Sequence, residues 1–110
     1  MIKVTSEELN QAAMQMIMLA GDSRNLLTEA VNATMEGALA TRVDEKLKIA
    51  KEKIVEAHRI QTDMIQSSIE DDELQTTLLF SHAQDTLMTV YSEQNLIRHM
   101  IAMYRKLDKQ

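Results

Sequence analysis

The sequence predicts an all-α fold, a three-helix antiparallel bundle, on three observations. Proline is absent and glycine occurs only at Gly21 and Gly37 in 110 residues. The chain is rich in Ala, Leu, Met, Glu, Gln and Lys, which lose little on entering a helix. Apolar or small residues recur at gaps of four and three, the spacing of helices that pack along their length. Aromatics amount to Phe80, Tyr91 and Tyr104. An apolar fraction of 45% is that of a globular protein and argues against disorder. The length fits one domain spanning 1–110.

The first helix opens at Thr5-Ser6-Glu7-Glu8, a capping box in which Thr5 is the N-cap and Glu8 reaches back to its amide. Its buried row is Leu9, Ala13, Met16, Ala20, Ser23, Leu27 and Ala30, widened by Ala12, Leu19 and Leu26. Gly37 is the natural stop. Gly21 falls inside the helix, where it costs about 1 kcal/mol relative to Ala, and close approach of a second helix accounts for it. The second helix carries Val43, Leu47, Ala50, Ile54, Ala57, Gln61, Met64 and Ser68 on its inner row. Half of the twelve basic residues lie between Arg42 and Arg59, interleaved with acids. They read as a solvated face carrying i,i+4 pairs, such as the neighbours Glu52 and Glu56 balanced by Lys48. The acidic run Glu70-Asp71-Asp72-Glu73 marks the start of the third helix, expected from Leu74 to about Leu107. There the macrodipole favours acids at one end and Arg98, Arg105 and Lys106 at the other. Leu78, Leu79, Leu87, Met88, Val90, Leu96, Ile97, Met100, Ile101, Met103 and Tyr104 give this helix more apolar surface than two neighbours cover. Self-association, with cyclic symmetry, is the expectation.

Several function classes fall away. Without cysteine there is no disulfide framework, thiol nucleophile or Cys-based zinc site. A net charge of −5 weighs against nucleic acid or an anionic membrane and suits a basic protein partner. The N-terminus has neither a basic n-region nor an apolar h-region, and no apolar run approaches the ~20 residues of a bilayer span. A cytoplasmic protein is expected. No Glu-x-x-His, His-Glu-x-x-His or Gly-rich phosphate loop occurs. Ser/His/Asp catalysis lacks an oxyanion hole in such a chain.

Of the three histidines, His58 and His99 sit among aliphatic neighbours and read as structural. His82 has different company. Ser81, Gln84 and Asp85 surround it, and Asp85, three residues on, shares its helix face. A neutral imidazole is a competent nucleophile that takes up and passes on a phosphoryl group. Such transfer needs positioning and dipoles more than covalent work from the protein. Ser81 and Gln84 are candidate hydrogen-bond donors to the phosphoryl oxygens. The bland alternative is a polar interruption in a helix interface.

Phe80-Ser81-His82-Ala83-Gln84-Asp85-Thr86-Leu87-Met88 resembles the His-(Ala/Gly)-Gln-Asp-His-Leu-Met signature of the IIA components of the lactose/cellobiose class of the sugar phosphotransferase system. Ala20-Gly21-Asp22-Ser23-Arg24 is similar to that family's first-helix motif, and Glu56-Ala57-His58-Arg59-Ile60-Gln61-Thr62 to its Glu-Ala-His-x-x-Gln-Thr. The resemblance implies three-helix subunits assembled as a homotrimer, nine helices in one bundle. It implies that His82 accepts a phosphoryl group from phospho-HPr and donates it to a cysteine of IIB. IIB in turn phosphorylates a β-linked disaccharide of the lactose or cellobiose type during uptake through IIC. It further implies that Asp85 lies on the three-fold axis and shares a divalent cation, Mg2+. Three converging carboxylates repel by about 4 kcal/mol per pair at about 4 Å and an effective dielectric near 20, so a hard cation or protonation is required.

One letter departs from the signature: Thr86 stands where the family has a second histidine. Leu79 and Met88, near His82, either meet the apolar centre of HPr or pack the core. Two other readings compete. A histidine phosphotransfer domain of a two-component relay has Lys and Gly where this chain has Asp85 and Thr86. A non-catalytic trimeric helical adaptor would leave His82 merely buried.

Overall fold

The computed structural model describes residues 4–69 and 76–108, which form three helices and no strand. They are α1 (Ser6–Met35), α2 (Ala40–Ile69) and α3 (Leu78–Asp108). The run Glu70–Glu73 and the expected first residue of the third helix, Leu74, lie outside the described residues. The helices run up, down and up in a bundle 59 Å long and about a third as wide.

Local chemistry sets the ends. Thr5 is extended (φ −94°, ψ 163°) and its Oγ1 accepts the Glu8 amide at 3.1 Å. The reciprocal half of the capping box differs from expectation: the Glu8 carboxylate accepts the Thr5 hydroxyl at 3.2 Å rather than the Thr5 amide. At the other end Gly37 has φ +83°. The Ala38 amide donates to Ala33 O at 2.9 Å and the Gly37 amide to Thr34 O at 3.2 Å. This is the Schellman pair, and its left-handed residue favours glycine. The start of α3 is later than the acidic run suggested. Thr77 Oγ1 accepts the Phe80 amide at 3.1 Å, which makes Thr77 the N-cap, and no acid lies in the first turn. A threonine hydroxyl satisfies an orphan amide of the first turn directly.

The core follows the four-three rows. Leu9, Ala13, Met16, Ala20, Ser23, Leu27 and Ala30 are all buried, as are Val43, Leu47, Ala50, Ile54 and Ala57; Gln61, Met64 and Ser68 are half-buried. From α3 come Phe80, Ala83, Leu87, Val90, Gln94 and Ile101. Ala13, Ala20, Ala30, Ala50, Ala57 and Ala83 are wholly excluded from solvent, and their small volume lets the helices close on one another. Ser23 lies in this seam and its Oγ donates to Ala50 O across helices at 2.9 Å.

Helix α1 packs against both other helices, while α2 and α3 touch each other far less. Ion pairs tie the periphery: Arg24 to Glu93 (α1–α3, 2.9 Å), Lys46 to Glu29 (α2–α1, 3.3 Å) and Arg105 to Asp44 (α3–α2, 3.0 Å). Each joins different helices; the expected i,i+4 pairs along α2, around Lys48, Glu52 and Glu56, are not among them. Gly21 also departs from expectation. Nothing lies within 4 Å of where its Cβ would stand, so within the subunit no close helix approach explains it.

Candidate functional site

Helix α3 has two faces of equal regularity. The inner one, Phe80, Ala83, Leu87, Val90, Gln94, Ile97 and Ile101, steps by three and four into the core. The outer one, Leu78, His82, Asp85, Thr89, Ser92, Leu96, His99, Met103 and Lys106, steps by four and three, and every member is exposed. Two seams on one helix mean that the subunit uses only one of them. Sequence reasoning saw the excess apolar surface of α3 but not this second seam, whose spacing was legible in the sequence.

His82 and Asp85 therefore lie on the open face, one turn apart, at its polar N-terminal end. Ser81 and Gln84 flank them half-buried. Backbone and hydroxyls are coupled here: Thr86 Oγ1 donates to His82 O at 3.0 Å, and Thr89 Oγ1 to Asp85 O at 2.8 Å. The Thr86 hydroxyl is thus directed at the preceding turn rather than at the imidazole. An exposed imidazole held on a rigid helix is open to an incoming phosphoryl donor and to an acceptor in turn.

The other histidines separate. His58 is half-buried and meets Tyr91 of α3 edge to face, with ring centroids 5.3 Å apart at 88°. His99 is exposed, contrary to its reading as a packed structural residue: its aliphatic neighbours in sequence belong partly to the outer seam, which the subunit leaves open. Of the residues proposed to meet a partner, Met88 is exposed, whereas Leu79 packs against the core.

Arg24, in the first-helix motif, grips Glu93 of α3 through Nε and Nη2 at 2.9 to 3.1 Å. The hydrogen bond to Glu93 raises the affinity of the guanidinium for its proton, against a smaller opposing effect of burial. The pair fixes α3 against α1 some three turns beyond His82. Among the described residues no group of three His, Cys, Asp or Glu side chains converges within the chain. The Asp85 carboxylate offers oxygen donors, which suit a hard cation, but one carboxylate does not make a site. Among the same residues no helix is long and apolar enough to cross a membrane.

Residues 11–105 match the family model described as PTS system, Lactose/Cellobiose specific IIA subunit. The chain is 32% identical over 100 residues to a PTS system lactose-specific EIIA component of Streptococcus mutans, covering 91% of this chain and 95% of that one. It is 33% identical over 105 residues to the lichenan-specific phosphotransferase enzyme IIA component of Bacillus subtilis, covering 96% and 94%. The crystal structure of the PTS cellobiose-specific enzyme IIA from Bacillus anthracis superposes with a TM-score of 0.84 at 34% identity, covering 97% of this chain and 95% of that one. With sequence and fold in agreement over almost its whole length, the chain belongs to the lactose/cellobiose-specific IIA family of the sugar phosphotransferase system.

Proposed function

We propose that this protein is a phosphocarrier and that His82 is its phosphoryl acceptor. A ring nitrogen of His82 forms a bond to phosphorus as the nitrogen–phosphorus bond on phospho-HPr breaks. That new bond then breaks as a cysteine sulfur of IIB takes the phosphoryl group for delivery to a β-linked disaccharide. The observation that carries this reading is the exposure of His82 on an uninterrupted helix, within a chain matched to the family over residues 11–105. Transfer between two nitrogen or sulfur nucleophiles of similar leaving ability asks for access and in-line approach, and an open helix face supplies both. Ser81 and Gln84 flank the site as donors to the phosphoryl oxygens.

The reading extends to assembly. The outer seam of α3 joins two further copies in a homotrimer, so that Asp85 of each converges on the axis. A bound Mg2+ would be held there by the three Asp85 carboxylates and would supply neutralising charge; the transfer itself needs only His82 and its partners.

Incubation with phosphoenolpyruvate, enzyme I and HPr tests the carrier role. The expected result is an acid-labile, alkali-stable phosphoryl label on the wild type that is lost in His82→Gln. A wild type that stays unlabelled while HPr is labelled refutes the role and leaves a helical adaptor. Metal analysis of the purified trimer against Asp85→Leu tests the axial site, and equal metal content in both rules it out.

A further inference from the structure

The proposed homotrimer brings more to its axis than Asp85. Asp85, Ser92 and His99 follow one another at seven-residue steps on the outer seam of α3, and all three are exposed in the subunit. Residues seven apart hold the same register against neighbouring helices in a bundle built on a 3.5-residue repeat. A straight helix drifts by about 20° per heptad, hence by about 40° from Asp85 to His99, and a left-handed supercoil takes up that drift. Where the Asp85 side chains of three copies converge, those of His99 therefore converge as well, roughly 21 Å further along at about 1.5 Å per residue.

The surroundings of His99 select the guest. Leu96 and Met103, its neighbours on the seam, are 60% and 64% exposed, and Met100 beside it is 59% exposed. No carboxylate stands on the seam between Asp85 and Lys106; the positions are Thr89, Ser92, Leu96, His99 and Met103. At the level of His99 the axis thus offers imidazole nitrogens between apolar walls. A single chain supplies only one such ring, and among the described residues no group of three His, Cys, Asp or Glu side chains converges within it. The site is incomplete without the other two copies.

From this register we infer that the trimer holds a second metal ion, a borderline-soft divalent cation such as Zn2+, on three His99 imidazoles, one from each copy. The inference rests on the assembly proposed above. Neutral imidazole is the commonest metal ligand among side chains. Three imidazole nitrogens with water in the fourth position make the tetrahedral set that zinc takes in three-histidine sites. The same layer has no oxygen ligand of its own for Mg2+, which prefers carboxylates and water. The axis thus sorts cations by ligand chemistry, a hard one at Asp85 and a borderline one at His99. Because no single chain forms the site, zinc binds the assembled protein and draws chains into it by mass action.

Equilibrium dialysis of the intact, metal-stripped protein against ZnCl2 in excess MgCl2 tests the inference, with sedimentation of the same samples. The expected result is one zinc per three chains, with a Kd of about 10 µM or tighter. His82→Gln and Asp85→Leu are expected to retain that zinc, which separates the site from phosphoryl transfer and from the hard-cation site. His99→Leu is expected to lose the zinc and keep the trimer mass, because leucine there extends an apolar seam without touching the subunit core. A wild type that is not trimeric with or without zinc overturns the assembly, and this site with it. A trimer that takes up no zinc below about 100 µM, that binds one zinc per chain, or that binds it equally in His99→Leu overturns the site alone.

Discussion

If His82 is the phosphoryl acceptor proposed above, the protein's contribution to its chemistry is access and orientation, so the neighbours of that residue matter through what their polar atoms are doing. The Thr86 hydroxyl is bonded to the His82 carbonyl at 3.0 Å, a local back-bond of the kind threonine makes inside helices. It is therefore not free to serve the imbalance of charge at a phosphoryl group on the imidazole. Thr86→Val is expected to leave the initial rate of labelling by phospho-HPr within about twofold of the wild type. A loss of much more than that would mean that the hydroxyl turns toward the imidazole during transfer. The smaller effect would mean that, where the family signature carries histidine, this chain does without a second reactive side chain.

At the scale of the helix, the two glycines make opposite demands. Gly37 has φ +83° and ends α1 through two backbone hydrogen bonds, so Gly37→Ala forces a side chain into the left-handed region at a cost of about 1–2 kcal/mol. Gly21 lies within α1 with nothing within 4 Å of its missing Cβ. Gly21→Ala is expected to stabilise the subunit by about 0.5–1 kcal/mol through helix propensity and the narrower unfolded ensemble. Urea unfolding of both variants checks the pair; destabilisation by Gly21→Ala would show that a neighbouring subunit closes on that position. Much of this scale was legible in the sequence. The rows from Leu9 to Ala30 and from Val43 to Ala57, the Thr5 cap and the Gly37 stop all depend on residues within a turn or two of one another. The start of α3 was not, because Thr77 and the acidic run compete for one role and only the backbone path decides between them. The exposure of His99 and the emptiness around Gly21 were hidden for another reason: periodicity places a residue on a face without saying whether anything covers it.

For the whole molecule, the outer seam of α3 is the feature with most left to bury. Leu96 is 60% and Met103 64% exposed, and both stand at seam positions among Ser92, His99 and Lys106. Full burial of a Leu or Met side chain contributes about 1.5–3 kcal/mol, so two such residues from each of three copies supply a large part of a stable interface. At the other end of the seam the polar residues His82, Asp85 and Thr89 contribute little to adhesion, and Asp85 opposes it unless its charge is neutralised. Adhesion and chemistry would then divide along one helix of the proposed trimer: apolar contact holds the copies together in the C-terminal half, while in the N-terminal half Asp85 turns to the axis and His82, three residues before it, stays within reach of partner proteins. Leu96→Lys combined with Met103→Lys tests this division. Both residues are exposed in the subunit, so its own core is untouched and the helical circular dichroism is expected to persist. The sedimentation mass is expected to fall from three subunits to one, because a ring of lysines on the axis is repelled as well as deprived of apolar contact. Retention of the full assembly mass in this double variant would move the interface to another face of the bundle. If the variant is monomeric but still takes up label at His82, the phosphoryl acceptor is complete within one chain and assembly serves recognition of the partners instead.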